Sequence, residues 1–185
     1  MHVSTCLVNI DLTNDCLGHL AAPETVRIIA GTDELVGLFR SIERPIVWVR
    51  QEFSPDLSDA FLEMRKRGIE AHVAGTPGAE LDSRLDVRAT DMMVIKKRYS
   101  AFFETSLDQL LRELGVKTLV LTGVNTHACI RTTAIDAYQR DLEVIFASEC
   151  LGTYDEEHGR ISMRYMEGKI GHALTNRQIE DSVTI

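Results

Sequence analysis

Six short apolar runs punctuate the chain, and the segments between several of them carry apolar residues at helical spacing. The runs are LVNIDL (7–12), PIVWV (45–49), MMVI (92–95), TLVLTGV (118–124), LEVIFA (142–147) and a weaker IGHAL (170–174). Four of the six are continuous rather than alternating, which suits strands covered on both faces. In TSLDQLLRELG, apolar positions fall at Leu107, Leu110, Leu111 and Leu114; Thr105 or Ser106 can cap the start and Gly115 closes the end. Over 127–140, Ile130, Ala134, Ala137 and Tyr138 form one stripe, with Arg131, Asp136 and Arg140 largely off it. Residues 24–42 read as a further helix, stopped before Pro45.

Strand–helix alternation along the whole length predicts an α/β fold of three layers, α/β/α. Its core is a doubly wound, mainly parallel sheet of Rossmann-like type, in a single domain spanning 1–185. Residues 50–90 are the least regular stretch and contain the turn-rich GTPGAE (75–80). That stretch and 150–165 read as loops whose conformation the pattern does not determine.

A formal net charge of −8 argues against a nucleic-acid or anionic-membrane surface, and the basic run Lys96-Lys97-Arg98 is too short to reverse that. No stretch approaches the ~18 apolar residues needed to span a bilayer. The start, MHVSTCLVNIDL, lacks the basic and long apolar segments of a signal peptide. The four cysteines, Cys6, Cys16, Cys129 and Cys150, show no CxxC pairing or scaffold density. A reduced, cytoplasmic protein is the expectation.

Ligands of open parallel sheets bind at the carboxyl ends of the strands, near the switch in strand order. There the sequence places Asp11 after the first strand, Lys96 and Lys97 after the third, and Cys129 in the GVNTHAC turn after the fourth. Each has an ordinary alternative: Asp11 a turn cap, Lys97 a solvated lysine, Cys129 a small buried hydrophobe. Yet Cys129 sits near a helix start, whose dipole favours a thiolate. A nearby ammonium would lower its pKa further, and a carboxylate could take its proton. Cys6 reads as core and Cys16 as a loop residue. Cys150 also follows a strand, but Glu149 beside it opposes ionisation.

At these residues the chain resembles the isochorismatase-like cysteine hydrolases, which include nicotinamidases, N-carbamoylsarcosine amidase, ureidoacrylate amidohydrolases and biuret hydrolases. The likeness rests on IDLTND with Asp11, KKRYSAFFET with Lys97, GTPGAE, and above all TGVNTHACIRTTAIDAYQRD. It implies a triad of Cys129 as nucleophile, Asp11 as base and Lys97 as the cation between them. It also implies a cis peptide joining Val124 to Asn125, and an oxyanion hole from the backbone N–H groups of Asn125 and Cys129. The activity implied is hydrolysis of a C–N bond in a small amide, carbamoyl or ureido compound through a thioester. Family members are often dimers or tetramers, so a homo-oligomer is expected, with no nucleic-acid or membrane partner.

The pattern also departs from the family's. Nicotinamidases commonly hold a metal through an Asp-x-His pair after the second strand and a further His; here Gln51 and Phe53 occupy the pair, and His72 is displaced by one residue. No metal and no cofactor is therefore expected, and nicotinamide is disfavoured as substrate. Thr13 and Cys16 replace the usual Gln and Phe of the first motif. Phe53, Tyr99 and His127 are candidate substrate-binding residues. Phe102 and Phe103 read as core, and Arg131 as either a substrate-carboxylate partner or a helix-face ion pair. The alternatives to a hydrolase are a thiol-based redox sensor pairing Cys129 with Cys16 or Cys150, and a non-catalytic member of the fold.

Overall fold

The computed structural model describes residues 4–184. Its strands are β1 (Ser4–Ile10), β2 (Ile46–Gln51), β3 (Met92–Lys96), β4 (Val116–Val124), β5 (Glu143–Gly152) and β6 (His172–Leu174). They form one sheet in the order β3-β2-β1-β4-β5-β6. Every pairing is parallel, so the sheet is wholly rather than mainly parallel. The order reverses between β1 and β4, with Ile10 opposite Gly123 at the carboxyl end, and a doubly wound sheet leaves a crevice at such a switch.

Side chains alternate across the sheet, and the runs are apolar on both faces because both faces are covered. Val8, Ile10, Val49, Val94 and Leu121 face one helical layer, meeting Leu111 of α4 (Leu107–Glu113) and Ala134 of α5 (Arg131–Tyr138). Leu7, Trp48, Val120 and Ala147 face the other, against Ile28, Val36 and Phe39 of α2 (Ala22–Ser41) and Ile179 of α7 (Asn176–Val183). Each Val, Leu, Ile or Phe among them, fully buried, contributes about 1.5–3 kcal/mol relative to leaving it in water.

Several boundaries differ from expectation. At α4 the N-cap position is Ser106, whose side chain makes no capping bond; Thr105 Oγ1, one residue earlier, accepts the Leu107 N–H at 3.2 Å. The helix after β4 does not start as an α-helix: Thr126–Ile130 forms a wider π-type turn, closed by the Ile130 N–H on the Asn125 carbonyl at 3.2 Å. Tyr138 leaves the predicted stripe and is exposed, while Ile130, Ala134 and Ala137 are fully buried.

The stretch 150–165 is not a loop. β5 runs on to Gly152, and α6 (Glu156–Met166) follows, capped by Asp155 on the His158 N–H. Its inward residues include Gly159 and Ser162, small or polar, so no apolar stripe announces it. Two short helices, α1 (Asn14–Leu17) and α3 (Leu62–Arg67), lie in loop territory, and α7 carries a capping box of Thr175 and Gln178. Among the described residues no helix is long and apolar enough to cross a membrane.

Candidate active site

Asp11 leaves β1 in the left-handed region, φ 55°, which Asp tolerates better than most residues. Its N–H continues the ladder to the Val49 carbonyl at 2.8 Å. The next ladder donor, the Gln51 N–H, instead meets the Asp11 carboxylate, with Oδ1 accepting at 2.8 Å. The left-handed step thus puts a side-chain oxygen where a strand would offer its carbonyl, and the carboxylate is fixed at the strand end.

Asp11 Oδ2 faces Lys96. The ammonium Nζ lies 2.7 Å from it, with side-chain exposures of 0% for the lysine and 1% for the aspartate. A carboxylate oxygen can accept more than one hydrogen bond, so beside the ammonium this one keeps a lone pair for another proton. Lys96 Nζ also donates to Gln51 Oε1 at 3.2 Å, to the Arg98 carbonyl at 3.2 Å and to Cys129 Sγ at 3.4 Å. A carboxylate, an ammonium and a thiol therefore meet in one buried cluster at the carboxyl ends of β1, β3 and β4.

The lysine in that cluster is Lys96, not Lys97. Successive strand residues point to opposite faces, so only one of the tandem lysines can turn inward. Lys96 shares the side of Val94, which packs in the same apolar layer as Cys129. Lys97 points outward and pairs with Asp59 at 2.9 Å. Asp59 also accepts from Ser54 N–H at 2.8 Å and Ser54 Oγ at 2.9 Å. Lys97 thus ties down the loop after β2.

The protonation state differs from the sequence expectation as well. Burial pushes the Cys129 thiol up; Lys96 pulls it down, but the Asp11 charge adds to the upward shift. The helix start and the ammonium do not outweigh these, so in the free protein the proton rests on sulfur. Burial opposes the Lys96 charge, yet Asp11 and the neighbouring sulfur hold the group above the ordinary lysine range, and it stays an ammonium. The remaining cysteines are also buried. Cys6 is core in β1, and burial pushes Cys16 on α1 up to about 12. Cys150 packs against α2 and α7, donates to Asn176 Oδ1 at 3.2 Å, and is raised to about 12 by burial, with Glu149 adding to the shift.

Cys129 lies in the π-type turn that follows the cis peptide between Val124 and Asn125. Gly123 just before it has φ 112°, and a Cβ there would overlap the Ile10 carbonyl oxygen across the switch point. Asn125 Oδ1 accepts the Tyr154 N–H at 3.4 Å.

The candidate pocket residues are placed unevenly. Phe53 is fully buried and stands edge-on to Phe61 and His72. Tyr99 is about half exposed and tilts onto Phe61, with ring centroids 4.9 Å apart. His127 shares a 2.6 Å hydrogen bond with Thr153 Oγ1 and meets the Tyr154 ring edge-on. Phe102 is core, but Phe103 is exposed, contrary to the pattern reading. The Arg131 guanidinium lies over the Tyr165 ring.

The GTPGAE turn closes on α1: a Cβ on Gly78 would overlap the Asp15 carboxylate, which accepts the His72 N–H at 2.7 Å. Residues corresponding to the nicotinamidase metal set do not fit a metal. Phe53 has no donor atom, the Gln51 amide oxygen is committed to Lys96, and His72 offers one imidazole. No group of three His, Cys, Asp or Glu residues is arranged to hold an ion among the described residues. A cavity of about 910 Å³ opens at the opposite end of the sheet, between Leu142–Ile145 and Gly168–His172, remote from these groups.

The fold agrees with the comparisons. The chain matches the isochorismatase domain model over residues 5–178 and belongs to that family. An isochorismatase family protein from Desulfovibrio vulgaris superposes with a TM-score of 0.88 at 25% identity, covering 99% of this chain and 100% of that one. N-carbamoylsarcosine amidase from Thermoplasma acidophilum superposes with a TM-score of 0.80 at 27% identity, covering 94% and 97%. A maleamate amidohydrolase from Pseudomonas putida is 30% identical over 160 residues, 85% of this chain and 75% of its own length.

Proposed function

We propose that this protein is a cysteine amidohydrolase that cleaves the C–N bond of a small amide, carbamoyl or ureido compound, with no metal in its reacting set. One observation carries the reading: a buried ammonium stands 2.7 Å from Asp11 Oδ2 and 3.4 Å from Cys129 Sγ. Such a set, closed from water, serves proton transfer from a thiol better than it serves stability, because a buried ion pair is weak evidence for a stabilising role. The amidase and amidohydrolase among the relatives support the bond class.

In the reaction, Asp11 takes the thiol proton as Cys129 Sγ attacks the carbonyl carbon, and Lys96 balances the negative charge that moves to sulfur. The carbonyl oxygen becomes an oxyanion, met by the backbone N–H groups of Asn125 and Cys129. Asp11 then passes its proton to the leaving nitrogen, and ammonia or an amine departs, leaving a thioester on Cys129. Asp11 next draws a proton from water as its oxygen attacks the thioester carbon. The C–S bond breaks, the acid leaves, and the proton returns to sulfur. Resting as a thiol suits this scheme, since proton and attack move together when an amide arrives.

The test is an ammonia-release screen over N-carbamoyl amino acids, ureido acids, biuret, maleamate and nicotinamide, with Cys129→Ala and Asp11→Asn beside the natural chain. Release from one compound that both variants abolish is the expected result. Turnover retained by Cys129→Ala would remove the nucleophile.

A further inference from the structure

We propose that Gln51 is the positioning residue for this cluster: its neutral amide holds Lys96 between Asp11 and Cys129 without adding a second anion. The proposal rests on the reading of Asp11, Lys96 and Cys129 as the reacting set. Gln51 is the last residue of β2, is 5% exposed, and touches both members of the ion pair. Its N–H donates to Asp11 Oδ1 at 2.8 Å, and its Oε1 accepts from Lys96 Nζ at 3.2 Å.

The ammonium has three N–H bonds to share. Its neighbours are Asp11 Oδ2, Gln51 Oε1, the Arg98 carbonyl and Cys129 Sγ, and sulfur, at 3.4 Å, is the most distant. What sits at position 51 therefore sets how much of the ammonium is left for sulfur. Charge makes the same point. Before proton transfer the cluster holds Asp11 as an anion, Lys96 as a cation and a neutral thiol. Afterwards it holds a neutral Asp11, the same cation and a thiolate. Both states sum to zero because position 51 is neutral, and a carboxylate there would hold the ammonium and repel the forming thiolate.

The other titratable groups facing the cluster do not disturb this sum near neutral pH. Burial holds Cys16 on α1 as a thiol and His72, ahead of the Phe53–Val73 bridge, as a neutral imidazole. Tyr99, beyond β3, is raised by burial and by the nearby sulfur and stays a phenol. Asp15, on the far side of His72, is occupied by the His72 N–H.

The test needs no substrate. Iodoacetamide alkylation of Cys129, located by mass spectrometry with Cys129→Ala as blank, is followed from about pH 7 to about pH 10. Gln51→Glu keeps the shape and adds the anion, so its rate profile moves to higher pH and the rate at a given pH falls about tenfold. Gln51→Met keeps the bulk and removes the acceptor, freeing an N–H for sulfur, so its profile moves the other way. Thermal melts establish that each variant is folded. Opposite displacements are the expected result. Profiles that coincide with the natural chain, or move in the same direction, overturn the proposal, and an unmoved Gln51→Met profile does so even where Gln51→Glu does not fold. A screen that finds no amide substrate would strike the proposed reaction and leave this measurement readable.

Discussion

Lys97 Nζ sits 2.9 Å from Asp59 Oδ2, one residue past the lysine whose ammonium is sealed against Asp11. Two adjacent lysines thus form one buried and one partly exposed ion pair, and substitution separates them. Lys96→Met leaves Asp11 buried without its counter-charge, which costs about 3–5 kcal/mol, and it removes the cation that balances the thiolate. Lys97→Met breaks a partly exposed pair worth about 0–1 kcal/mol. Urea unfolding should show that contrast. Ammonia release should fall by about a thousandfold in Lys96→Met and stay within a few-fold in Lys97→Met. Equal losses would return Lys97 to the reacting set.

Burial raises the Cys129 thiol, Lys96 lowers it, and the Asp11 charge adds to the rise. Asp11→Asn removes the raising charge and leaves the lowering one. The thiolate of that variant forms at lower pH, so Cys129 alkylates faster than in the natural chain at the same pH. Turnover nevertheless disappears, because no group remains to carry the proton to the leaving nitrogen. A faster thiol in a dead enzyme is the signature, read by alkylation and ammonia release on one preparation. Slower alkylation would show that Asp11 does not hold the proton on sulfur.

The legible parts of this molecule are those where local pattern and global topology coincide. β1, β2, β4 and β5 are buried on both faces, so their apolar runs stand out, and strand ends then collect Asp11 and Cys129 on one rim. The choice between Lys96 and Lys97 was not legible, because MMVI is apolar at every position and conceals which parity faces the cysteine. Knowing that Val94 and Cys129 share a layer would have decided it. Gln51 was hidden differently: its residue type marked the loss of a metal ligand, and its contact with Lys96 exists only once β2 and β3 pair. α6 escaped because its inward residues include Gly159 and Ser162. Its cap, Asp155 three residues before His158, was the local signal available. The resting state of Cys129 depends on depth of burial, which spacing along a chain does not report.

Gly123 is the residue on which the switch point closes. With φ at 112° and the Ile10 carbonyl oxygen where a Cβ would stand, Gly123→Ala is strained in its backbone and must also part β1 from β4. Such a change costs at least about 3 kcal/mol. The site lies two residues before Asn125, so a folded remnant should lose turnover as well. The denaturant midpoint checks the first effect. A midpoint within the range of an ordinary surface substitution would mean that the strands adjust cheaply.

Asp91 couples β2 to its edge neighbour and gives the fold a measurable acid limit. Its carboxylate accepts from Arg40 Nη1 at 2.7 Å and Trp48 Nε1 at 2.9 Å, and also from the Arg88 N–H. Burial alone would raise it, but these donors outweigh burial and hold it at about 2. A carboxyl with a depressed folded pKa stabilises above its unfolded value and loses that contribution as pH falls through the folded one. The window therefore runs from about pH 4 down to about pH 2, and the contribution lost is about 2 kcal/mol. Asp91→Asn should be less stable than the natural chain at neutral pH, with the difference shrinking across that window. Urea midpoints from neutral to acid pH measure it, and two curves that stay parallel through the window would show that the Asp91 charge does not hold this corner of the sheet.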